Sequence, residues 1–329
     1  MWTSPNLRHL TDDGRSRFAP QLPDRYRPFL EKYPSLALIG GTPLFRVRIP
    51  ELSESAAKIF AKAEWTNPGG SIKDRPVLRM LLESVLSGKL TPDQTILDSS
   101  SGNAGISYAM IGSTMGYQVE VVVPGNASQE RKRRIRAHGG TLVETDPLEG
   151  YDAALRETHR RAEAHPDRYY MPDQYANDHN WRAHYETTAV EILQQMRGRI
   201  THFVAGIGTG GTITGVGRRL KEDIPKVQVI CMMPEDFPGI EGLKPLEQRG
   251  DIVPKILDPS VIDHRIKVTS EEAYALCQSL ARRGIFVGLS SGAYLKGCLD
   301  VARESDAARI VTIFSDLGER YFSTRLWDL

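Results

Sequence analysis

Lys73 follows a turn of small residues, Asn67-Pro68-Gly69-Gly70. With Ser71, Ile72, Asp74 and Arg75 it leads into Val77, Leu78, Met80, Leu81, Leu82, Val85 and Leu86, apolar residues at helical spacing. Ser71 with Asp74 three residues later fits a helix N-cap and an acidic residue in the first turn. Lys73 then falls near the second helical position, where the positive end of the helix dipole disfavours a cation. Such a lysine is either an exposed surface residue or an amine whose lowered pKa is used in chemistry.

Other small-residue loops could act with it. Gly208, Thr209, Gly210, Gly211 and Thr212 are consecutive small residues before an expected helix. Their backbone N–H groups are free to surround an anion, and the two threonines add hydroxyl donors. From Gly206 the same segment satisfies G-x-G-x-x-G, with Glu235 downstream, so a dinucleotide reading stands beside the phosphate reading. Ser99-Ser100-Ser101-Gly102-Asn103-Ala104-Gly105 offers hydroxyls and backbone donors suited to a carboxylate, and Asn103 could donate to a phenolate-like oxygen. Ser290 and Ser291 are either an N-cap or neutral hydroxyls facing a ring nitrogen. Pyridoxal 5′-phosphate uses all four features at once: an amine, an anion cradle, a donor to its ring oxygen and a partner for its ring nitrogen.

The elements that must hold these loops alternate. Strands are expected at 57–64, 95–98, 119–123, 141–143, 168–171, 202–205, 227–232, 285–288 and 309–314. Helices are expected after Lys73 to about Gly88 and at 106–116, 128–138, 151–164, 180–196, 213–223, 271–283 and 293–304. One further helix is expected near Tyr26 to Tyr33, and Gly40-Gly41-Thr42-Pro43-Leu44 reads as a turn. The alternation implies an α/β protein with parallel sheets covered on both faces. The loops at 99–105, 206–212 and 290–292 each fall between an expected strand and an expected helix, where such sheets bind ligands.

Asn67 to Arg75, Ser101-Gly102-Asn103, Gly208 to Thr212, Gly288-Leu289-Ser290-Ser291-Gly292 and the tail Gly318-Glu319-Arg320-Tyr321-Phe322-Ser323-Thr324 together resemble the cysteine synthases. These are tryptophan-synthase-β-like, fold-type II pyridoxal phosphate enzymes. The resemblance runs from about Gly40 to the C-terminus, with the motifs in the family's order. It implies two three-layer αβα domains with mainly parallel sheets and the cofactor in the cleft between them. Residues 1–39 would be an extension, 66–176 a smaller, mobile domain with the substrate loop, and 40–65 with 177–329 a larger domain holding the phosphate. Lys73 would carry the cofactor as a Schiff base and act as the general base. Asn103 would bind its ring oxygen, Gly208 to Thr212 its phosphate, and Ser290 its ring nitrogen. Ser100, Ser101, Gly102 and Gln174 would receive the substrate carboxylate. Lys244 lies near where phosphoserine-using members carry a basic residue, so it is either a phosphate contact or a solvated loop lysine.

The implied activity is β-replacement: an O-activated serine, O-acetylserine or O-phosphoserine, and a sulfur donor give L-cysteine. The alternatives are cystathionine β-synthase-like or serine dehydratase β-elimination, a nicotinamide oxidoreductase using the 206–211 loop, and a catalytically weak partner-binding subunit. Lys73-Asp74-Arg75 leans toward the O-phosphoserine and thiosulfate-using branch or cystathionine β-synthase. The chain departs from the family's usual pattern at Ala104-Gly105 for Thr-Gly, Asp98-Ser99 for Glu-Pro, Asp178-His179 for Asn-Pro and Ala189-Val190 for Gly-Pro.

Composition agrees with this frame. A chain of 329 residues, 40% hydrophobic, can bury one or two substantial cores. A net charge of +1 with interspersed signs gives no nucleic-acid or membrane field. The three cysteines, Cys231, Cys277 and Cys298, have neither disulfide-framework nor metal-ligand spacing and read as reduced thiols. No apolar run reaches the roughly 18 residues of a membrane span. The N-terminus shows no apolar signal region. A cytoplasmic enzyme without a metal is expected, a homodimer by analogy with the family.

Overall fold

The computed structural model describes residues 22–50, 56–100, 102–236, 239–246 and 252–328. The strands are β1 (Leu44–Val47), β2 (Lys58–Ala63), β3 (Thr95–Ser99), β4 (Val119–Pro124), β5 (Thr141–Thr145), β6 (Tyr169–Tyr170), β7 (His202–Gly206), β8 (Gln228–Pro234), β9 (His264–Val268) and β10 (Arg309–Phe314). They form a six-stranded sheet, β1-β2-β10-β7-β8-β9, and a four-stranded sheet, β5-β4-β3-β6. Only the β1–β2 pair is antiparallel.

The helices are α1 (Arg27–Lys32), α2 (Asp74–Leu86), α3 (Asn103–Thr114), α4 (Gln129–Ala137), α5 (Gly150–Ala164), α6 (Asp178–Ala183), α7 (Ala189–Met196), α8 (Gly211–Asp223), α9 (Ser270–Ala281) and α10 (Leu289–Glu304). The period-2 alternation of the strands decides which helix each face meets. In β8, Val229, Cys231 and Met233 pack with Ile192 and Met196 of α7 and Ile213, Val216 and Leu220 of α8. Ile230 and Met232 point the other way, into Leu276 and Leu280 of α9 and Leu295, Cys298 and Leu299 of α10. The smaller sheet is layered likewise. Ile96, Val119, Val121 and Val123 face the α2 and α3 side, whereas Leu97 and Val122 meet Ala154 of α5. Both sheets are therefore three-layer αβα units, mainly parallel, as the sequence implies.

Several elements differ from expectation. The stretch 285–288 forms no strand: Val287 makes only an isolated bridge to Leu317. α10 starts at Leu289, earlier than expected, so Ser290 and Ser291 lie in its first turn. β1 and β9 were not anticipated; β9 is short, edge-lying and half polar in pattern. Residues 24–39, which include α1 near the expected helix, pack onto the smaller sheet, with Tyr26, Leu36 and Ile39 buried in its core. The expected helix from 180 to 196 is α6 and α7 joined by a π-helical segment, His184–Thr188.

Candidate active site

Lys73 joins the two sheets, for it follows β2 of the larger sheet and opens α2 over the smaller one. It is the N-cap of α2, not its second residue, and no side-chain cap bond is made there. Ser71 is not the cap; it pairs with Asp316 in an isolated bridge, and its Oγ accepts from the Lys73 N–H at 3.3 Å. Asp74 turns back to accept from the Gly69 N–H at 2.6 Å and from Ser107 Oγ at 2.5 Å. Burial pushes its carboxyl up to about 6, against Ser107, Gly69, Arg320 and Arg134. The turn is pinned again where the Ile72 N–H reaches the Ser315 carbonyl at 3.0 Å, just past β10. The Lys73 amine therefore sits at a fixed point. Burial lowers its pKa, and Asp316 opposes that shift. No hydrogen bond engages its Nζ among the described residues.

Asn103 opens α3, and both ends of its amide are engaged. Nδ2 donates to Asp316 Oδ2 at 2.7 Å, and Oδ1 accepts from Arg320. Asp316 is fully buried and also accepts from the Tyr321 hydroxyl at 2.9 Å; its Oδ1 has no partner. Gly288, two residues before Ser290, lies against this group: a Cβ there would stand 2.3 Å from Asp316 Oδ1. The Ser290 side chain is buried and makes no hydrogen bond among the described residues, whereas Ser291 Oγ accepts from the Ser315 N–H at 3.1 Å.

The carboxylate loop is partly used up internally. Ser100 Oγ accepts from the N–H groups of Gly102 (3.0 Å) and Gly105 (2.8 Å), so it holds the loop's shape, and its hydroxyl hydrogen is left to give. Gln174 donates from Nε2 to the Ser99 carbonyl at 2.7 Å. Ser101 lies outside the described residues.

The glycine loop joins β7 to α8. Gly210 has φ +82°, and a Cβ on Gly208 would stand 2.6 Å from the Gly242 carbonyl, so both positions need glycine. Thr209 Oγ1 accepts from Asn180 Nδ2 at 3.1 Å, and the same amide donates to the Gln174 carbonyl at 2.7 Å. Asn180 thus registers the glycine loop against the segment carrying Gln174. His184, in the π-helical turn, places Nε2 3.4 Å from Thr212 Oγ1 and Nδ1 2.9 Å from Thr188 Oγ1. Burial, with Arg75 and Lys73 adding positive charge, lowers its pKa to about 3, so it is neutral beside the loop. Lys244 is no free loop lysine. Its Nζ pairs with Asp152 at 2.9 Å and lies over the rings of Tyr151 and Tyr175, while its N–H reaches the Ile207 carbonyl at 2.7 Å.

Asp316, Arg320, His184, Asn180 and Asp98 were given no role from sequence, and the structure brings all five to the loops. Arg320 was within reach, since it stands in the quoted tail motif. Asp98 stands in the quoted Asp98-Ser99 departure, whereas Asp316, His184 and Asn180 meet Asn103, Thr212 and Thr209 from distant parts of the chain, which no local signal reports.

A family model described as "Pyridoxal-phosphate dependent enzyme" matches residues 36–316. The chain belongs to this family of pyridoxal-phosphate-dependent enzymes. It is similar to the cysteine synthase of Aquifex aeolicus (47% identical over 300 residues, covering 89% of this chain and 91% of that one). It is also similar to cysteine synthase B of Pseudomonas aeruginosa (39% identical over 302 residues, 90% and 98% covered). Among solved structures it resembles O-acetylserine sulfhydrylase isoform 3 from Entamoeba histolytica, with TM-score 0.81, 31% identity and coverage of 90% and 91%. The nicotinamide reading of the glycine loop is not favoured. The side chains present fit pyridoxal phosphate: a half-buried amine and a serine hydroxyl, neither with a hydrogen bond among the described residues, and a glycine loop at a helix N-terminus. Among the described residues no helix is long and apolar enough to cross a membrane, and no cluster could hold a metal ion.

Proposed function

We propose that this pyridoxal-phosphate-dependent enzyme makes L-cysteine by β-replacement, from an O-activated serine (O-acetylserine or O-phosphoserine) and a sulfur donor. One observation carries the reading: the half-buried Lys73 amine, its pKa lowered by burial, is held at the junction of the two sheets with no hydrogen bond to its Nζ among the described residues. Lys73 would hold the cofactor, Gly208, Thr209, Gly210, Gly211 and Thr212 its phosphate, Asn103 its ring oxygen and Ser290 its ring nitrogen. When bound, the cofactor supplies an electron sink for the carbanion at the substrate's Cα.

The chain's own groups do the rest. Lys73, poised by burial, takes the Cα proton. The Cβ–O bond breaks, and acetate or phosphate leaves with the bonding pair. A sulfur lone pair then forms the Cβ–S bond, and Lys73 returns the proton to Cα. Ser290 is neutral and donates or accepts without adding negative charge at the ring nitrogen, which favours elimination over transamination. Ser100, Ser101, Gly102 and Gln174 would orient the carboxylate, with Lys244 beside them as a phosphate contact.

The same reading includes motion of 66–176 against 40–65 and 177–329. The Arg131–Glu241 and Lys244–Asp152 pairs, which cross between these parts, would break on opening. It also includes a cytoplasmic homodimer, to be checked by light scattering. The decisive experiment titrates the holoenzyme with O-acetylserine, O-phosphoserine and serine, follows the cofactor's absorbance, and assays cysteine after adding sulfide. Cysteine from at least one activated serine is expected; none from either would overturn the proposal.

A further inference from the structure

We propose that Arg320 is the positioning residue for Asn103: its guanidinium fixes which end of the Asn103 amide is the donor at the cofactor site. This rests on the reading that Asn103 donates to the cofactor's ring oxygen, and the test below separates the two.

The two ends of an asparagine amide have nearly the same shape, so only the chemistry of the neighbours sets the orientation. Arg320 has donors and no acceptor, so the amide atom against its Nη1 is the oxygen. Asp316 Oδ2, which already accepts from Tyr321, takes the nitrogen at 2.7 Å from the other side. Both ends are therefore specified, and one N–H of Nδ2 is left to give. Turned the other way, the amide would set its NH2 against a guanidinium and its carbonyl against a carboxylate, two repulsive contacts in a desolvated place.

The same guanidinium donates from Nη2 to the Gly69 carbonyl in the turn before Lys73. One group thus registers the lysine segment, the asparagine loop and the C-terminal tail. Room for it comes from Gly70, where a Cβ would lie 2.6 Å from Arg320 Nη2. Anchoring the tail does not call for this residue. Arg320 is 2% exposed, its Nε has no partner, and Arg131 and Arg134 add like charge, with Asp316 opposing. An under-satisfied buried cation is a poor way to fill space, which an apolar side chain does better.

Arg320→Met, Asn103→Ala and the double variant are compared with the unaltered protein in three measurements. These are pyridoxal phosphate titration of the apoprotein, the pH dependence of the bound cofactor's visible absorbance, and the apoprotein's melting temperature. Arg320→Met is expected to weaken cofactor binding about tenfold. It should also shift the pH dependence of the absorbance in the same direction as Asn103→Ala. In the double variant the spectral shift should be no larger than in Asn103→Ala alone, because Arg320 acts through Asn103. Arg320→Lys keeps the charge without the fork and serves if the methionine variant does not fold; it should give a smaller shift of the same sign. A lower melting temperature with unaltered affinity and spectrum would make Arg320 a tail anchor and overturn the proposal, as would an extra shift in the double variant. No spectral effect of Asn103→Ala would instead remove the ring-oxygen reading itself.

Discussion

Lys62 and Lys73 are both lysines whose pKa burial lowers, one beneath the Asn67–Gly70 turn and one at its end, yet their surroundings differ in kind. Lys62 Nζ meets Glu191 Oε2 at 2.6 Å and the Thr42 carbonyl and hydroxyl at 2.5 and 2.7 Å. Around it Arg75 bridges Glu64 (2.7 Å) and Glu191 (2.6 Å), and the Thr42 hydroxyl and the Asn67 amide donate to the two oxygens of Glu64. No side-chain polar atom of Lys62, Glu64, Arg75 or Glu191 lacks a partner. Lys73 has only the Asp316 carboxylate to oppose the lowering of its pKa and makes no side-chain hydrogen bond among the described residues, where Asp316 Oδ1, Arg320 Nε and Arg131 Nε are likewise buried and unpaired. Buried polar groups in native proteins are nearly always paired. A complete ionic cluster is a structural fixture, and an incomplete one beside it marks where a ligand belongs.

The largest effect tests that contrast from the Lys73 side. Lys73→Ala should reduce turnover by more than about 10⁴-fold, beyond the loss of a general base alone, because it also removes the cofactor's attachment. The melting temperature of the apoprotein should hold or rise, since a desolvated amine without a partner is removed. A clear loss of apoprotein stability, or residual turnover near that of the unaltered enzyme, would count against the assignment.

From the other side, Lys62→Met should cost about 3–5 kcal/mol of stability by denaturant unfolding, because it leaves the buried Glu64 and Glu191 carboxylates sharing the single Arg75 cation. Acid should act on the same cluster. Burial pushes the Glu64 carboxyl up, but Arg75, Lys62 and Thr42 overcome it and hold it at about 2, below the ordinary value of 4.5. Its contribution is therefore present above pH 4.5 and is lost as the pH falls through about 2. If Lys62→Met melts like the unaltered protein, the network is not the fixture described.

The motif loops were legible because small residues before a helix have a local physical meaning: Gly210 takes a left-handed φ of +82° that favours glycine whatever the rest of the chain does. The alternation of β7 and β8 likewise announces a two-sided sheet. What could not be read is whatever depends on distant partners. Ser71 and Asp74 look like a capping pair locally, but the bridge from Ser71 to Asp316 and the reach of Asp74 to Ser107 override it. Val287 looked like part of a strand and has only Leu317 to pair with. Asp316 and Arg320 join Asn103 across more than half the chain, and no spacing rule reports that.

Asp98 gives a smaller test, because it lies between the two kinds of cluster: fully bonded, yet beside the substrate loop. Its oxygens accept from the Ser99 N–H (2.7 Å), the Tyr108 hydroxyl (2.6 Å) and the Gln174 N–H (3.3 Å). Burial raises its pKa to about 7, with Asp173 adding to the rise and those donors opposing it. Below pH 7 it protonates, and a neutral carboxyl holds the Ser99 and Gln174 N–H groups, which can only donate, more weakly than a carboxylate does; this loosens the segment holding Gln174. KM for the activated serine should therefore rise on the acid side of pH 7. Asp98→Asn should show a raised KM at every pH and no such limb. An acid limb that survives the substitution would assign it to another group.

Lys244 should give the smallest effect, because it is already paired. The Asp152 contact is partly exposed, and pairs of that kind contribute about 0–1 kcal/mol. Lys244→Ala should change stability by no more than that. If the ammonium exchanges Asp152 for a phosphate ester, KM should rise about five- to tenfold with O-phosphoserine and hardly at all with O-acetylserine, because only the former brings a dianion to the amine. An equal change on both substrates would leave Lys244 as part of the bridge between α5 and the 239–246 segment, on the structural side of the comparison with Lys62.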